Sequence, residues 1–336
     1  MLSQSHLRKV KTMAEAIVVR KYGGPEVLQL ENIPTPQPRP NELLIKQNAV
    51  GINYHDIYCR SGQRNSLKLP GTPGIEGAGV VLQTGTEVHN FKVGDRVAYI
   101  TSGYNGYASE RTLPFYLAVP IPDEISDVTA ASVILKGLTV NMLVNKVARI
   151  KPKDRVLVHA AAGGVGHLLV QTAKRLGATV IGTVGSEAKA EVATNLGCDH
   201  IILYRKENVL KRVMEITKDQ GLHIVYDSVG KDTFHDSLNA LDYEGHLVVY
   251  GQSSGPIDNF EVSMLAKKSL TLSRPMVFHY TRKRDDLTEM SAALFQSILD
   301  GKLVPRLPME LPLANAMKAH ELLESRKTAQ PIVLIP

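Results

Sequence analysis

The chain has only two cysteines, Cys59 and Cys198, and they stand far apart. That scarcity excludes a disulfide framework and a Cys-x-x-Cys metal knuckle, and it fits a reducing cytoplasm, the expected compartment. Long apolar runs are missing too. No run approaches the ~20 residues that a membrane-spanning helix needs, so no membrane partner is expected. Charge of one sign is not concentrated anywhere. The formal net charge of +6 is modest and scattered, without the aromatic interleaving of a nucleic-acid platform, so nucleic acid is not an expected partner. Hydrophobic residues make up 43% and charged residues 21%, a balance that folds rather than stays disordered, and 336 residues exceed one compact core, so two domains are expected. Residues 1–13 carry Arg8, Lys9 and Lys11 and no acid, the composition of a short transit peptide. Because a strand-like run begins at Glu15, the reading adopted is a disordered extension.

What the chain does have is a strand that breaks into a glycine turn and becomes an amphipathic helix: residues 156–176, VLVHAAAGGVGHLLVQTAKRL. Ala161, Gly163 and Gly166 occupy the three positions of a G-x-G-x-x-G turn, with alanine replacing the first glycine. Gly163 lets the backbone approach a pyrophosphate, Gly166 lets the helix lie close on the strand, and the unpaired amides of the helix start face the anion. A second strand arrives over 178–184, completing the βαβ context of a dinucleotide site.

The end of that second strand chooses the cofactor. An NAD site places a carboxylate about 20 residues past the first glycine, to accept from the ribose hydroxyls. This chain has Gly185 and Ser186 there. A 2′-phosphate would meet no repulsion, and Lys189 stands one helical turn on to receive it, so the residues imply NADPH.

Up to about residue 125 the chain reads as short β segments, over 16–19, 43–50, 77–83 and 96–99, punctuated by Pro and Gly clusters. From about residue 127 helices and strands alternate: a helix over 130–147, then strands near Arg155, Ala178, His200, Ile224, His246 and Ser269. The fold class is therefore α/β. A six-stranded, doubly wound Rossmann-type sheet occupies 126–273, and a barrel-like β-rich domain occupies 14–125. Residues 274–336, with helices over 286–300 and 314–325 and a last strand over 331–335, are expected to return and complete the first domain. The cofactor would lie in the cleft between the two domains.

Eight segments in order carry a resemblance: GGPEVLQL at 23–30, GINYHD at 51–56, PGIEGAGVV at 73–81, GDRVAY at 94–99, LKGLTV at 135–140, HAAAGGVG at 159–166, YDSVG at 226–230 and LLESRKT at 322–328. The chain resembles the zinc-independent quinone oxidoreductases of the medium-chain dehydrogenase/reductase superfamily, the zeta-crystallin-like branch, over essentially its whole length after Met13. The resemblance implies a GroES-like catalytic domain. Where zinc-bearing relatives hold a cysteine and a histidine ligand, this chain has Asn53 and Ile75, and the cysteine-rich structural lobe is missing, so no metal is expected.

The resemblance further implies that Asn53, Asp56 and Tyr58 line the nicotinamide and substrate pocket, with Thr139 near the nicotinamide. Gly164 and Val165, with Gly163, would hold the pyrophosphate. Lys189, Tyr204 and Arg326 would surround the 2′-phosphate, with Gly185 and Ser186 in contact. Val229, Tyr250, Gly251 and Ser253 would run along the nicotinamide half, followed by Met276 and Val277. Two residues depart from the family. His55 stands where zinc dehydrogenases place a relay hydroxyl and is expected to face solvent, and Arg64 stands where several relatives have a tyrosine at the pocket mouth. The implied activity is metal-free transfer of hydride or electrons from NADPH to a quinone, by a homodimer or homotetramer. The alternatives are an NADPH-dependent C=C reductase acting on an enal or enoyl thioester, and an RNA-binding or structural role.

Overall fold

The computed structural model describes residues 13–336, which form two compact units. The expected N-terminal extension lies outside the described residues except for Met13, which already belongs to the strand Met13–Val18. The first unit takes in the chain up to Ile121 together with Glu310–Glu324 and Ile332–Pro336.

Its centre is a seven-stranded, largely antiparallel sheet in which Glu42–Gly51 pairs with Glu76–Thr84, with Glu110–Pro114 and with the C-terminal strand Ile332–Ile335. Leu43, Ile45, Val81, Val97, Tyr99 and Leu113 from these strands are buried together, because strand side chains alternate and this set shares one face. Central placement of Glu42–Gly51 fixes where the chain leaves the sheet. Its end delivers Ile52, whose amide donates to Ile332 O at 3.2 Å, and then Asn53.

The second unit holds six parallel strands in the spatial order His200–Leu203, Thr179–Val184, Arg155–Val158, Leu222–Asp227, Leu241–Val249, Thr271–Ser273. In chain order that is 3-2-1-4-5-6, the doubly wound arrangement, with the switch point beside Arg155–Val158. Leu157, Ile181, Ile202, Val225 and Leu247 are buried, which is why these strands read as near-continuous apolar runs rather than alternating ones.

Two expectations need correction here. Residues 274–309 do not return to the first unit; they belong to the second, where the helix Arg284–Leu299 packs on the helix Asp127–Met142. The contact is close because Gly137 has no side chain: a Cβ there would lie 2.4 Å from Leu294 Cδ1. In addition, one apolar stretch does reach spanning length. Asp127–Met142 continues through a π turn, Leu143–Val147, to a helix long and apolar enough to cross a membrane by length and composition, but most of it is buried inside the unit. Its all-round apolarity reflects neighbours on every side.

Candidate active site

The strand Arg155–Val158 runs into the glycine turn. Ala160 takes a left-handed conformation, with φ 51, and the Gly163 amide donates to its carbonyl at 2.8 Å, closing the turn. Gly166 then opens the helix Gly166–Arg175, and a Cβ there would sit 2.2 Å from Ala160 O. Only glycine lets the helix start so close to the turn. Ala161, in the first fingerprint position, is fully buried against the neighbouring strand, where a Cβ on Gly182 would be 2.8 Å from the Ala161 methyl. The need for a missing side chain has moved from residue 161 to its partner at 182.

Below the turn lies a buried polar chain. His159 Nδ1 is 3.0 Å from Thr183 Oγ1 and Nε2 is 2.9 Å from Ser237 Oγ, and Ser237 Oγ donates to Asp227 Oδ2 at 3.1 Å. Because the Ser237 proton goes to Asp227, its oxygen accepts from His159 Nε2–H, which fixes the tautomer. Burial holds His159 toward its neutral form, against the pull of Asp227. The other Asp227 oxygen accepts from the amides of Val229 and Gly230 at 2.7 and 3.0 Å. One carboxylate thus supports both the residue that enters the glycine turn and the Ser228–Gly230 turn.

At the strand end Thr179–Val184, Ser186 caps the helix Glu187–Asn195 by accepting from the Lys189 amide. Gly185 lies against the Tyr204 ring: a Cβ at 185 would be 2.6 Å from Tyr204 Oη. Lys189 Nζ donates to Arg326 O at 2.7 Å, and Arg326 Nη2 donates to Ser253 O at 2.7 Å. Gly185, Ser186, Lys189, Tyr204, Ser253 and Arg326 are therefore brought into one neighbourhood. Removal from water lowers the Lys189 pKa, and the charges of Arg205, Arg306 and Arg326 lower it further. Arg205 and Arg306 were not read from the sequence. Nothing in their local pattern separates them from other surface cations.

Of the residues expected along the nicotinamide half, Val229, Tyr250, Gly251 and Ser253 lie at the ends of two neighbouring strands. The Ser253 amide donates to Ser228 O at 3.1 Å and the Tyr250 amide to Asp227 O at 2.8 Å; a Cβ on Gly251 would strike Ser228 O at 2.5 Å. Arg274, also missed, ties this loop down by donating to the carbonyls of Val249 and Gly251 at 2.9 and 3.0 Å. Met276 precedes the short helix Val277–Tyr280, of which Val277 is buried. On the helix Asp127–Met142, Thr139 Oγ1 donates back to Leu135 O at 2.7 Å. Lys136 of the same helix is buried against Gly164, with its Cε 3.2 Å from where a Cβ would stand. A lone lysine inside an apolar helix was the signal that sequence reading passed over.

In the first unit, Asn53 caps the helix Tyr54–Ser61. Its amide N–H donates to Asp56 Oδ2 at 2.8 Å, and its side-chain Nδ2 donates to Glu76 Oε1 at 2.7 Å. Asp56 is completely buried and also accepts from Tyr107 Oη at 3.1 Å. Tyr107 Oη is 3.0 Å from His320 Nε2, and Arg60 reaches His320 Nδ1 at 3.3 Å while pairing with Glu324 at 2.7 Å. The geometry makes Asp56 the end of a positioning chain for Asn53. Tyr58 is half-buried one turn further on, 6.3 Å from the Tyr54 ring. His55 does not face solvent as expected: it is half-buried, 3.3 Å from Arg64 Nη1 and stacked on Tyr104, and burial followed by Arg64 lowers its pKa to about 4.

Two family models match the chain: an alcohol dehydrogenase GroES-like domain over residues 39–123 and a zinc-binding dehydrogenase over 164–296. A quinone oxidoreductase of Salmonella typhimurium is 43% identical over 327 residues, covering 96% of this chain and 100% of the relative. The crystal structure of Escherichia coli quinone oxidoreductase complexed with NADPH superposes with a TM-score of 0.94 at 42% identity, covering 96% of this chain and 100% of that one. The chain belongs to the quinone oxidoreductases of the medium-chain dehydrogenase/reductase superfamily. The structure of a 2-haloacrylate reductase is also similar, with a TM-score of 0.85 at 38% identity, covering 96% of this chain and 99% of that one.

The residues present fit NADPH. A cradle that a Cβ at 166 would fill, a strand end without a carboxylate, and the cations Lys189, Arg306 and Arg326 suit a dinucleotide bearing a 2′-phosphate. Among the described residues no three His, Cys, Asp or Glu side chains converge as metal donors, and Asn53 presents an amide already hydrogen-bonded to Glu76.

Proposed function

We propose that this protein is a metal-independent, NADPH-dependent quinone reductase. The observation that carries the cofactor assignment is the pairing of Lys189 with Arg326 beside a Gly185–Ser186 strand end that has no acid. Bound NADPH supplies the hydride or electrons. In this reading Gly163, Gly164 and Val165 hold the pyrophosphate, and Lys189, Tyr204 and Arg326 hold the 2′-phosphate with Gly185 and Ser186. Thr139, Val229, Tyr250, Gly251, Ser253, Met276 and Val277 orient the nicotinamide half.

Asn53 and Tyr58 bind the acceptor. Asn53 Nδ2 gives one of its two protons to Glu76 and keeps the second for the acceptor oxygen, and Tyr58 offers a hydroxyl. Both donors strengthen as the quinone oxygen gains charge, which is where binding accelerates the reaction. Asp56, buried and held by Tyr107, keeps the Asn53 backbone in place. A quinone takes its negative charge on oxygen, so no acid need deliver a proton to carbon. A homodimer or homotetramer in the cytoplasm, with no nucleic-acid partner, completes the reading.

The test is steady-state NADPH oxidation across simple quinones and enals. Faster turnover on a quinone than on any enal is expected; the reverse order would assign the protein to C=C reduction, the activity closest in chemistry.

A further inference from the structure

We propose that His159 is a positioning residue of the cofactor site: it relays one directed chain of hydrogen bonds from the Ala160 amide in the glycine turn to the Asp227 carboxylate behind Val229. The two turns then hold the dinucleotide as one unit. The inference rests on the reading above that the glycine turn binds the cofactor's diphosphate and that Val229 lies along its nicotinamide half.

The chain lies wholly within the second unit. His159 follows the strand Arg155–Val158, Thr183 stands on the neighbouring strand Thr179–Val184, and Asp227 ends the strand Leu222–Asp227 on the other side. Ser237 sits on the short helix Phe234–Asn239. All four residues are at most 2% exposed, so their polar atoms must be satisfied inside the protein.

Every proton in the chain follows from its carboxylate end. Asp227 accepts the hydroxyls of Ser237 and Thr233 on Oδ2, at 3.1 and 2.7 Å, and the amides of Val229 and Gly230 on Oδ1. Ser237 therefore accepts from His159 Nε2–H, which leaves Nδ1 bare. Nδ1 accepts the Thr183 hydroxyl at 3.0 Å, and the Thr183 oxygen accepts the Ala160 amide at 3.3 Å. All these bonds point toward Asp227, and in a chain so aligned each link polarises and strengthens the next. Burial agrees with the assignment, since it holds the ring toward the form in which one nitrogen accepts and the other donates, against the pull of Asp227 and Asp236.

The relay acts at the Ala160 end. Ala160 is left-handed, φ 51, a conformation unfavourable to alanine, and it is kept there by its amide on Thr183 and its carbonyl on the Gly163 amide. Releasing the amide loosens the residue that places Gly163 and Gly164. At the other end the carboxylate holds the amides of Val229 and Gly230, and Gly230 is itself left-handed, φ 88. Joining the two ends takes one acceptor and one donor on a single side chain, which the imidazole supplies.

The test measures NADPH dissociation constants by titration for Thr183→Val, Ser237→Ala and the double variant. Each single change should weaken NADPH about tenfold, the loss of one buried hydrogen bond, and the double variant should be no weaker than the worse single one. Independent defects would instead multiply to about a hundredfold. His159→Leu should match the single variants. Thr183→Ser and His159→Gln, whose amide offers an acceptor and a donor, should restore most of the affinity. Hydrogen exchange reads the relay without cofactor: Ser237→Ala should speed exchange across residues 159–164, and Thr183→Val across 228–230. Losses that multiply, exchange that speeds only at the substituted end, or His159→Gln no better than His159→Leu would overturn the proposal. If the wild-type protein does not bind NADPH, the reading of the glycine turn fails while hydrogen exchange still decides the relay.

Discussion

The carbonyl oxygen of Arg326 accepts a hydrogen bond from Lys189 Nζ at 2.7 Å, across 137 residues of chain. Arg326 adopts a left-handed conformation, φ 54, and its side chain reaches Ser253 O at 2.7 Å. Lys189 is thus drawn toward a backbone oxygen while Arg205, Arg306 and Arg326 repel its charge. Assembling like charges is unfavourable until an anion arrives, which is why the cluster supports the proposed 2′-phosphate site.

Lys189→Ala should weaken NADPH binding by about 1.5–3 kcal/mol, the range of a charge-assisted hydrogen bond, and leave NADH binding nearly unchanged. Arg306→Ala should act in the same direction and more weakly. Dissociation constants for both cofactors, measured by titration, check this; equal losses for NADPH and NADH would contradict it.

Gly166→Ala should destabilise the second unit and impair cofactor binding together, because its Cβ would be forced within 2.2 Å of Ala160 O. Overpacking of this kind costs roughly 1–3 kcal/mol. A lowered Tm in the absence of cofactor, with a smaller upward shift on adding NADPH, is the expected result.

Acid should destabilise the protein before its carboxylates titrate. Burial, then Arg60, lowers the His320 pKa to about 3, and burial lowers that of His167 to about 4. Unfolded histidines take up protons below about 6.5, which these folded ones refuse, so stability is full above that pH and falls as pH drops through it toward the folded values. Each should forfeit on the order of 2 kcal/mol between pH 7 and pH 5. Denaturant midpoints across that range check the slope, and His320→Gln should flatten it.

Tyr58→Phe should lower single-turnover reduction of a simple quinone about tenfold or less, the loss of one hydrogen bond near 1.4 kcal/mol. A loss of about a thousandfold would mark Tyr58 as a proton donor and favour C=C chemistry.

Chelation should leave NADPH oxidation intact, and elemental analysis should find no stoichiometric metal. One zinc per chain with activity lost on its removal would refute the metal-free mechanism.

Much of the fold was legible because its signals are local. The run at 156–176 carries its own strand, turn and helix, and the missing acid at Gly185–Ser186 is a property of two adjacent positions. His55 was misread for the opposite reason. Its neighbours Arg64 and Tyr104 lie 9 and 49 residues away, and no periodicity in its own helix reveals that they cover it. Lys136 could have been noticed as a single cation in an apolar helix, whereas Arg306 gave no such sign.

The sequence by itself determined the doubly wound sheet and the glycine turn, since period and composition act over a few residues at a time. Tertiary structure alone decided that residues 274–309 pack in the second unit, that Arg326 meets Lys189, and that His320 reaches Asp56 through Tyr107. Those outcomes depend on which distant surfaces close on one another, as Gly137 and Leu294 do, and that is fixed by the summed packing of the whole unit rather than by any stretch of chain.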